Sequence, residues 1–173
     1  KSLAGEHVET EAALKASGIT YTILRNGWYT ENYTASIPAA LANNAFYGSA
    51  KNGKISSVLR AELAEAAVNV ALSEGHENQT YELAGSSSWT LADLAAEISK
   101  QTGKDIPYVD IPAADYAAAL VQAGLDEGFS GLIAQWDVDA SNGALFSEDK
   151  TIEKLLGRPT AGLDVAVKQD LDH

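Results

Sequence analysis

The side chains best suited to chemistry stand together near the amino end of the chain: Asn26, Trp28, Tyr29, Asn32 and Tyr33, directly after Arg25. Asn26 and exposed backbone beside it can bond a carboxamide, and Trp28 and Tyr29 offer flat apolar surface with a polar edge. Asn32 lies seven residues past Arg25, where a chain leaving a sheet turns across the mouth of a cleft. Its amide can donate to an oxygen on which negative charge develops. The competing role for Asn32 is to cap a helix after Tyr33, as Asn commonly does.

The element that must position this set is the run Ile19-Thr20-Tyr21-Thr22-Ile23-Leu24. Its β-branched and aromatic residues predict a strand over Ile19 to Leu24, and Asn26-Gly27 turns the backbone out of the ladder, so the strand is expected to end at about Arg25. In open α/β sheets ligands bind beyond the carboxyl ends of the strands, which makes the corner a candidate site wall. In a parallel sheet both faces of this strand would be buried.

Before it, residues 3–17 read as a helix stopped by Ser17-Gly18, with Leu3, His7, Thr10, Glu11 and Leu14 on one face. His7 is either one half of a structural i,i+4 pair with Glu11 or a site residue. After the strand, Ser36 to Asn43 reads as a helix with Pro38 in its first turn, Phe46-Tyr47-Gly48 as a short strand and Ile55 to Val58 as an extended piece. Leu63, Ala66, Ala67, Val70 and Ala71 then mark an amphipathic helix with Arg60 just ahead of it.

Thr80 to Ala84 alternates as a strand, and Thr90 with Asp93 forms a capping box for a helix that buries Leu91, Leu94, Ala95 and Ile98 and stops at Gly103. A strand over Ile106 to Val109 follows. Pro112 opens a helix with the face Tyr116, Ala119, Leu120 and Ala123, and Leu125, Phe129, Leu132, Ile133 and Trp136 repeat as a second helical stripe, expected to be core. A last clear helix runs from Ser147-Glu148-Asp149 through Leu156.

A 173-residue chain that is 46% hydrophobic can build a proper core. Its net charge of −12, with no dense Lys/Arg cluster, argues against nucleic acid and anionic membrane as partners. There is no Cys, and His7, His76 and His173 are dispersed, so no disulfide, thiol nucleophile or metal site is expected. No apolar run reaches the ~18 residues that span a bilayer. Asn32-Tyr33-Thr34 and Asn78-Gln79-Thr80 match the glycosylation sequon, a triplet common by chance. The chain begins at Lys1 and contains no Met, so an upstream part is expected to have been left out. Strand and helix alternate up to Gly85 and helices dominate afterwards, an α/β layer followed by a helix-rich lobe. Neither G-x-G-x-x-G nor a Walker loop is present.

His7-Val8-Glu9-Thr10-Glu11, Ser17-Gly18, Tyr21 to Tyr29, Glu31-Asn32-Tyr33, Gly53-Lys54-Ile55, Tyr81 to Gly85, Trp89-Thr90-Leu91 and Gly143-Ala144-Leu145-Phe146 closely resemble the NmrA-like atypical short-chain dehydrogenases. Within them the match is to the bacterial type 2 NAD(P)H:quinone oxidoreductases, and it covers essentially the whole chain. The resemblance implies the carboxyl-terminal part of a Rossmann-like parallel sheet in residues 1–87, of which about 34–55 would contribute to a small helix-rich substrate lobe formed by 88–173. It implies hydride transfer from NADPH, with NADH as the alternative, to a quinone in the cytoplasm, by a monomer or homodimer.

In that reading Asn26, Gly27, Trp28, Tyr29, Thr30 and Glu31 line the nicotinamide end, Asn32 is the catalytic donor, and Tyr33, Arg60 and His7 face the substrate. The family also contains proteins that bind the dinucleotide without turning it over, so a cofactor-sensing regulator is the rival reading. Residues 1–173 alone, without the glycine-rich loop, are expected to bind dinucleotide weakly and to be inactive. Short-chain dehydrogenases generally place a catalytic Tyr four residues before a Lys on the helix preceding this strand, and those positions here hold Leu3 and His7. A reduced quinone oxygen can take its proton from water, which makes a strong built-in acid less necessary than for a ketone.

Overall fold

The computed structural model describes residues 4–172. Helix α1 (Gly5–Ala16) ends where Ser17 donates its backbone N–H to Ala13 and Leu14 carbonyls and Gly18 turns left-handed at φ 75°. Strand β1 (Thr22–Asn26) pairs in parallel with β3 (Gln79–Leu83), in register from Thr22 opposite Gln79 to Asn26 opposite Leu83. The strand therefore starts three residues later than its composition predicts and runs one residue past Arg25. Tyr21 is still tied in through its carbonyl, which accepts from Asn78 N–H. Burial on both faces is corrected as well: Ile19 is 59% exposed and Ile23 is half-buried. The reason is that β1 has β3 as its one hydrogen-bonded neighbour among the described residues, and α1, which precedes it, has no buried residue.

Glu11 of α1 does not pair with His7. Its carboxylate takes both Nε and Nη2 of Arg25, at 2.8 and 2.7 Å, and Nζ of Lys15 at 3.2 Å, while Arg25 Nη1 reaches Glu82 on β3. Leu3, also placed on that face by its spacing, and His173 lie outside the described residues. The hydrogen bonds from Arg25, helped by Lys15, hold the Glu11 carboxyl at about 2, against an ordinary 4.5. A depressed carboxyl pKa stabilises the folded state above the unfolded value and loses that contribution as pH falls from about 4.5 towards 2. Hydrogen exchange, corrected for intrinsic rates, should therefore show α1 amides less protected at about pH 3 than at about pH 6. Glu11→Gln should be equally loose at both, and a wild-type α1 with pH-independent protection would contradict the pairing.

Two short helices, α2 (Glu31–Thr34) and α3 (Ile37–Asn43), lead to β2 (Phe46–Gly48). Helix α4 (Arg60–Leu72) buries Glu62, Leu63, Ala66 and Val70. Helix α5 (Leu91–Thr102) carries the expected capping box: Thr90 Oγ1 accepts from Asp93 N–H, and Asp93 Oδ2 accepts from Thr90 N–H at 2.8 Å. Its buried face is Leu91, Leu94, Ala95 and Ile98, as the periodicity predicts. Strand β4 (Tyr108–Asp110) then pairs in parallel with β2, Phe46 opposite Tyr108. Helices α6 (Ala113–Gln122) and α7 (Glu127–Ser141) form an antiparallel pair, followed by α8 (Thr151–Leu156) and α9 (Leu163–Leu171).

Two apolar clusters hold these parts together. One joins Ile37, Phe46, Ile55, Trp89, Leu94, Ile98, Ile106 and Val167, and the other joins Val58, Leu63, Ala66, Leu83 and Ile152 beneath the β1–β3 sheet. Burying each large aliphatic side chain contributes about 1.5–3 kcal/mol. Helix α9, which docks on α5, goes beyond the helices read from the sequence, although Leu163, Ala166 and Val167 stand at i, i+3 and i+4. Among the described residues no helix is long and apolar enough to cross a membrane.

Candidate active site

β1 ends against the backbone of β3. Gly27 N–H donates to Leu83 O at 2.8 Å, and a Cβ on Gly27 would stand 2.4 Å from that same oxygen. Only glycine lets the chain leave the sheet so close to its neighbour. The next residues are stitched to the extended piece before α4: Val58 N–H donates to Trp28 O, Thr30 N–H donates to Val58 O, and the Thr30 and Ser57 hydroxyls bond at 2.7 Å. With the backbone so tied, Trp28 and Tyr29 project from the carboxyl end of the sheet into a cleft of about 1270 Å³. That exceeds the roughly 300–1,000 Å³ of an ordinary small-molecule pocket, leaving room for two ligands side by side.

The cleft brings together nearly every residue singled out in the sequence. Asn26, Gly27, Trp28, Tyr29, Glu31, Asn32, Tyr33, Arg60 and His7 all border it. Thr30 does not: it is 5% exposed and spends its hydroxyl on Ser57, so it supports the corner from behind. Asn32 is not a cap either. Thr30 occupies the N-cap position of α2, and Asn32 Oδ1 accepts from Arg60 Nη2 at 3.0 Å. Arg60 is itself held, its guanidinium 4.7 Å above the Tyr29 ring and its backbone N–H donating to Glu31 Oε1. With its oxygen turned to Arg60, Asn32 keeps its Nδ2 protons for another acceptor.

The opposite wall comes from α6 and α7 and corrects the expectation of a core stripe. Leu125, Phe129, Ile133 and Trp136 border the cleft, with Phe129 48% exposed, while α7 buries Ser130, Ala134, Asp137 and Ala140 instead. The α6 face behaves alike, Tyr116, Leu120 and Ala123 bordering the cleft and no α6 residue being buried. Trp136 meets Trp28 edge to face at 5.2 Å and Phe129 at 6.0 Å, an aromatic chain across the cleft. Asp137 and Tyr116 were not among the sequence candidates. A charge placed one residue after Trp136 in an apolar stripe was the signal available for Asp137.

The electrostatics of this wall follow from burial. It pushes the phenols of Tyr33 and Tyr116 well above their ordinary range, with nearby Asp137 adding to both, and pushes the Asp137 carboxyl up to about 6. Two polar atoms of residues bordering the cleft, Trp28 Nε1 and Glu31 Oε2, are buried and make no close hydrogen bond among the described residues, although the Trp28 side chain faces the Tyr33 phenol and Arg60 Nη1 stands 4.0 Å from Glu31 Oε2. One is a donor and one an acceptor, the pair that an amide such as a nicotinamide carboxamide would satisfy. Among the described residues no group of His, Cys, Asp and Glu is placed to hold a metal ion.

No family model matches the chain. Quinone oxidoreductase 2 of Escherichia coli K12 is 53% identical to it over 165 residues, which is 95% of this chain and 58% of that protein. The crystal structure of the E. coli NADPH-dependent enzyme complexed with NADPH superposes with a TM-score of 0.92 at 52% identity, over 99% of this chain and 60% of that one. Citrobacter sp. triphenylmethane reductase superposes with a TM-score of 0.94 at 34% identity, again over 99% of this chain and 60% of that one. The chain thus spans about 60% of the length of the relatives it matches. With parallel strands, a cleft at their carboxyl ends and identity above half to one of its reductases, the chain belongs to the NmrA-like group of short-chain dehydrogenase-type reductases.

Proposed function

We propose that the full-length protein transfers a hydride from NADPH, with NADH as the alternative donor, to a quinone in the cytoplasm. The observation that carries this reading is the corner from Asn26 to Asn32, which ends a parallel strand in a cleft with two polar atoms that make no close hydrogen bond and an aromatic opposite wall. The nicotinamide, when bound, supplies the hydride. The chain supplies its placement: Trp28 Nε1 and Glu31 Oε2 meet the carboxamide, and the contiguous Trp28, Trp136 and Phe129 rings that border the cleft offer apolar surface to a flat acceptor. Asn32 offers an amide donor to the acceptor oxygen, and Arg60 and His7 stand at the same cleft.

The division at about residue 87, with 34–55 joining the lobe, is part of the proposal. It is supported by the pairing of β2 with β4 and by the cluster that joins Ile37 and Phe46 to Leu94 and Ile98. Helix α8 returns to pack on α4 and β3. On this reading residues 1–173 alone bind dinucleotide weakly, because no glycine-rich phosphate loop lies among them. The full-length protein, as monomer or homodimer, should lose NADPH absorbance when benzoquinone is added. A protein that binds NADPH and oxidises none of it in the presence of quinone would instead be the cofactor sensor.

A further inference from the structure

Asp137 is 4% exposed yet borders the cleft. Its Oδ2 accepts the backbone N–H of Ser49 at 2.8 Å and lies so close over Gly48 that a Cβ there would stand 2.8 Å away. This bond fixes the carboxyl between α7 and the end of β2. Among the described residues no Lys, Arg or His forms an ion pair with it. The titratable groups facing it are Tyr33 from α2, Tyr116 from α6, and Tyr108 and Asp110 from β4. None of them brings positive charge. A buried carboxyl with one neutral donor and no cation keeps its proton to higher pH than an exposed one, and here burial outweighs the Ser49 bond to give about 6.

Converting a quinone to a hydroquinone consumes one hydride, supplied by the reduced nicotinamide, and one proton. We infer, resting on the hydride-transfer reading, that Asp137 is the proton donor of this site, giving its carboxyl hydrogen to the reduced quinone oxygen. The Asp137 O–H bond breaks as the quinone O–H bond forms, the bonding pair stays on the carboxylate, and solvent reprotonates it afterwards. The site then has a built-in acid even though the Tyr and Lys of the wider family are absent from positions 3 and 7. The acid comes from the lobe, across the cleft from β1.

The test is the pH profile of quinone turnover in the full-length protein and in Asp137→Asn, whose amide oxygen can still accept from Ser49. Wild-type turnover should fall as pH rises through about 6, whereas the variant should be about 10²-fold slower at low pH and flat across the same range. NADPH binding, read as quenching of tryptophan fluorescence, should be equal in the two. Thermal unfolding supplies a readout apart from turnover. A carboxyl whose folded pKa is raised from 3.8 to about 6 makes the wild type lose stability as pH rises through that window, so Asp137→Asn should gain in relative melting temperature there. A wild-type rate that is flat from about pH 5 to about pH 8, or a variant with wild-type turnover and profile, would overturn the assignment. If the wild type binds NADPH but never passes hydride to quinone, the hydride-transfer reading fails and the acid role of Asp137 fails with it. Failure of the profile alone removes Asp137 and leaves that reading standing.

Discussion

Asn32→Asp in the full-length protein should cut quinone turnover about a hundredfold while leaving NADPH affinity unchanged. The substitution isolates one function. Asp retains the oxygen that accepts from Arg60 Nη2 at 3.0 Å, and hence the arrangement in which Arg60 lies over Tyr29. It removes the Nδ2 donor and sets a negative charge where charge develops on the acceptor oxygen. A preorganised donor in a water-excluded site is worth about 2.7–4 kcal/mol, and the low end applies because Asn32 is exposed among the described residues. Asn32→Ala should show a similar loss of turnover with little loss of stability, since Thr30 and not Asn32 stands at the N-cap of α2. Normal turnover by Asn32→Asp would remove the residue from the chemistry.

The largest effect on stability is expected at Gly85. Its N–H donates to Ser56 O at 2.9 Å, and a Cβ on Gly85 would stand 2.2 Å from Ser57 O. That obstacle is buried backbone, not the end of a flexible side chain. It is also anchored: the Ser57 hydroxyl bonds Thr30, and Ser56 Oγ donates to Ser147 O and accepts from its N–H. Gly85→Ala must therefore separate the end of β3 from the extended piece at 56–57. Overpacking of this kind costs about 1–3 kcal/mol, and with rigid backbone on both sides about 3 kcal/mol is expected, a fall in melting temperature of about 6–12 °C. Gly5→Ala, with no neighbouring atom within 4 Å of the new Cβ, is the control. Equal stability of the two variants would show that the crossing at Gly85 is not close-packed.

Legibility in the sequence divides along physical lines. Local features were legible: the capping box at Thr90 and Asp93, the stop at Gly18 and the corner at Asn26-Gly27 each depend on residues a few positions apart. The corner also carried most of the residues that border the candidate cleft, because a strand end in an α/β sheet is a place where ligands bind. The first residues of the predicted strand failed because β-branched composition runs back to Ile19 while its partner β3 begins at Gln79. The α7 stripe failed for a different reason. Periodicity shows that one helical face is apolar but not whether protein or ligand covers it, and Phe129 and Trp136 face the cleft. Asp137 was hidden by distance along the chain: the N–H that holds it belongs to Ser49, 88 residues away.

The measurement that bears most directly on the central claim is a crystal structure of the full-length protein with NADPH and a quinone analogue. The nicotinamide carboxamide should bond Trp28 Nε1 and Glu31 Oε2, two buried atoms that make no close hydrogen bond among the described residues. The quinone ring should lie in the cleft against Trp28 and the α6–α7 wall, one of its oxygens within hydrogen-bonding distance of Asn32 Nδ2. A nicotinamide bound away from the corner at 26–31, or a quinone seated outside this cleft, would contradict the assignment of the site.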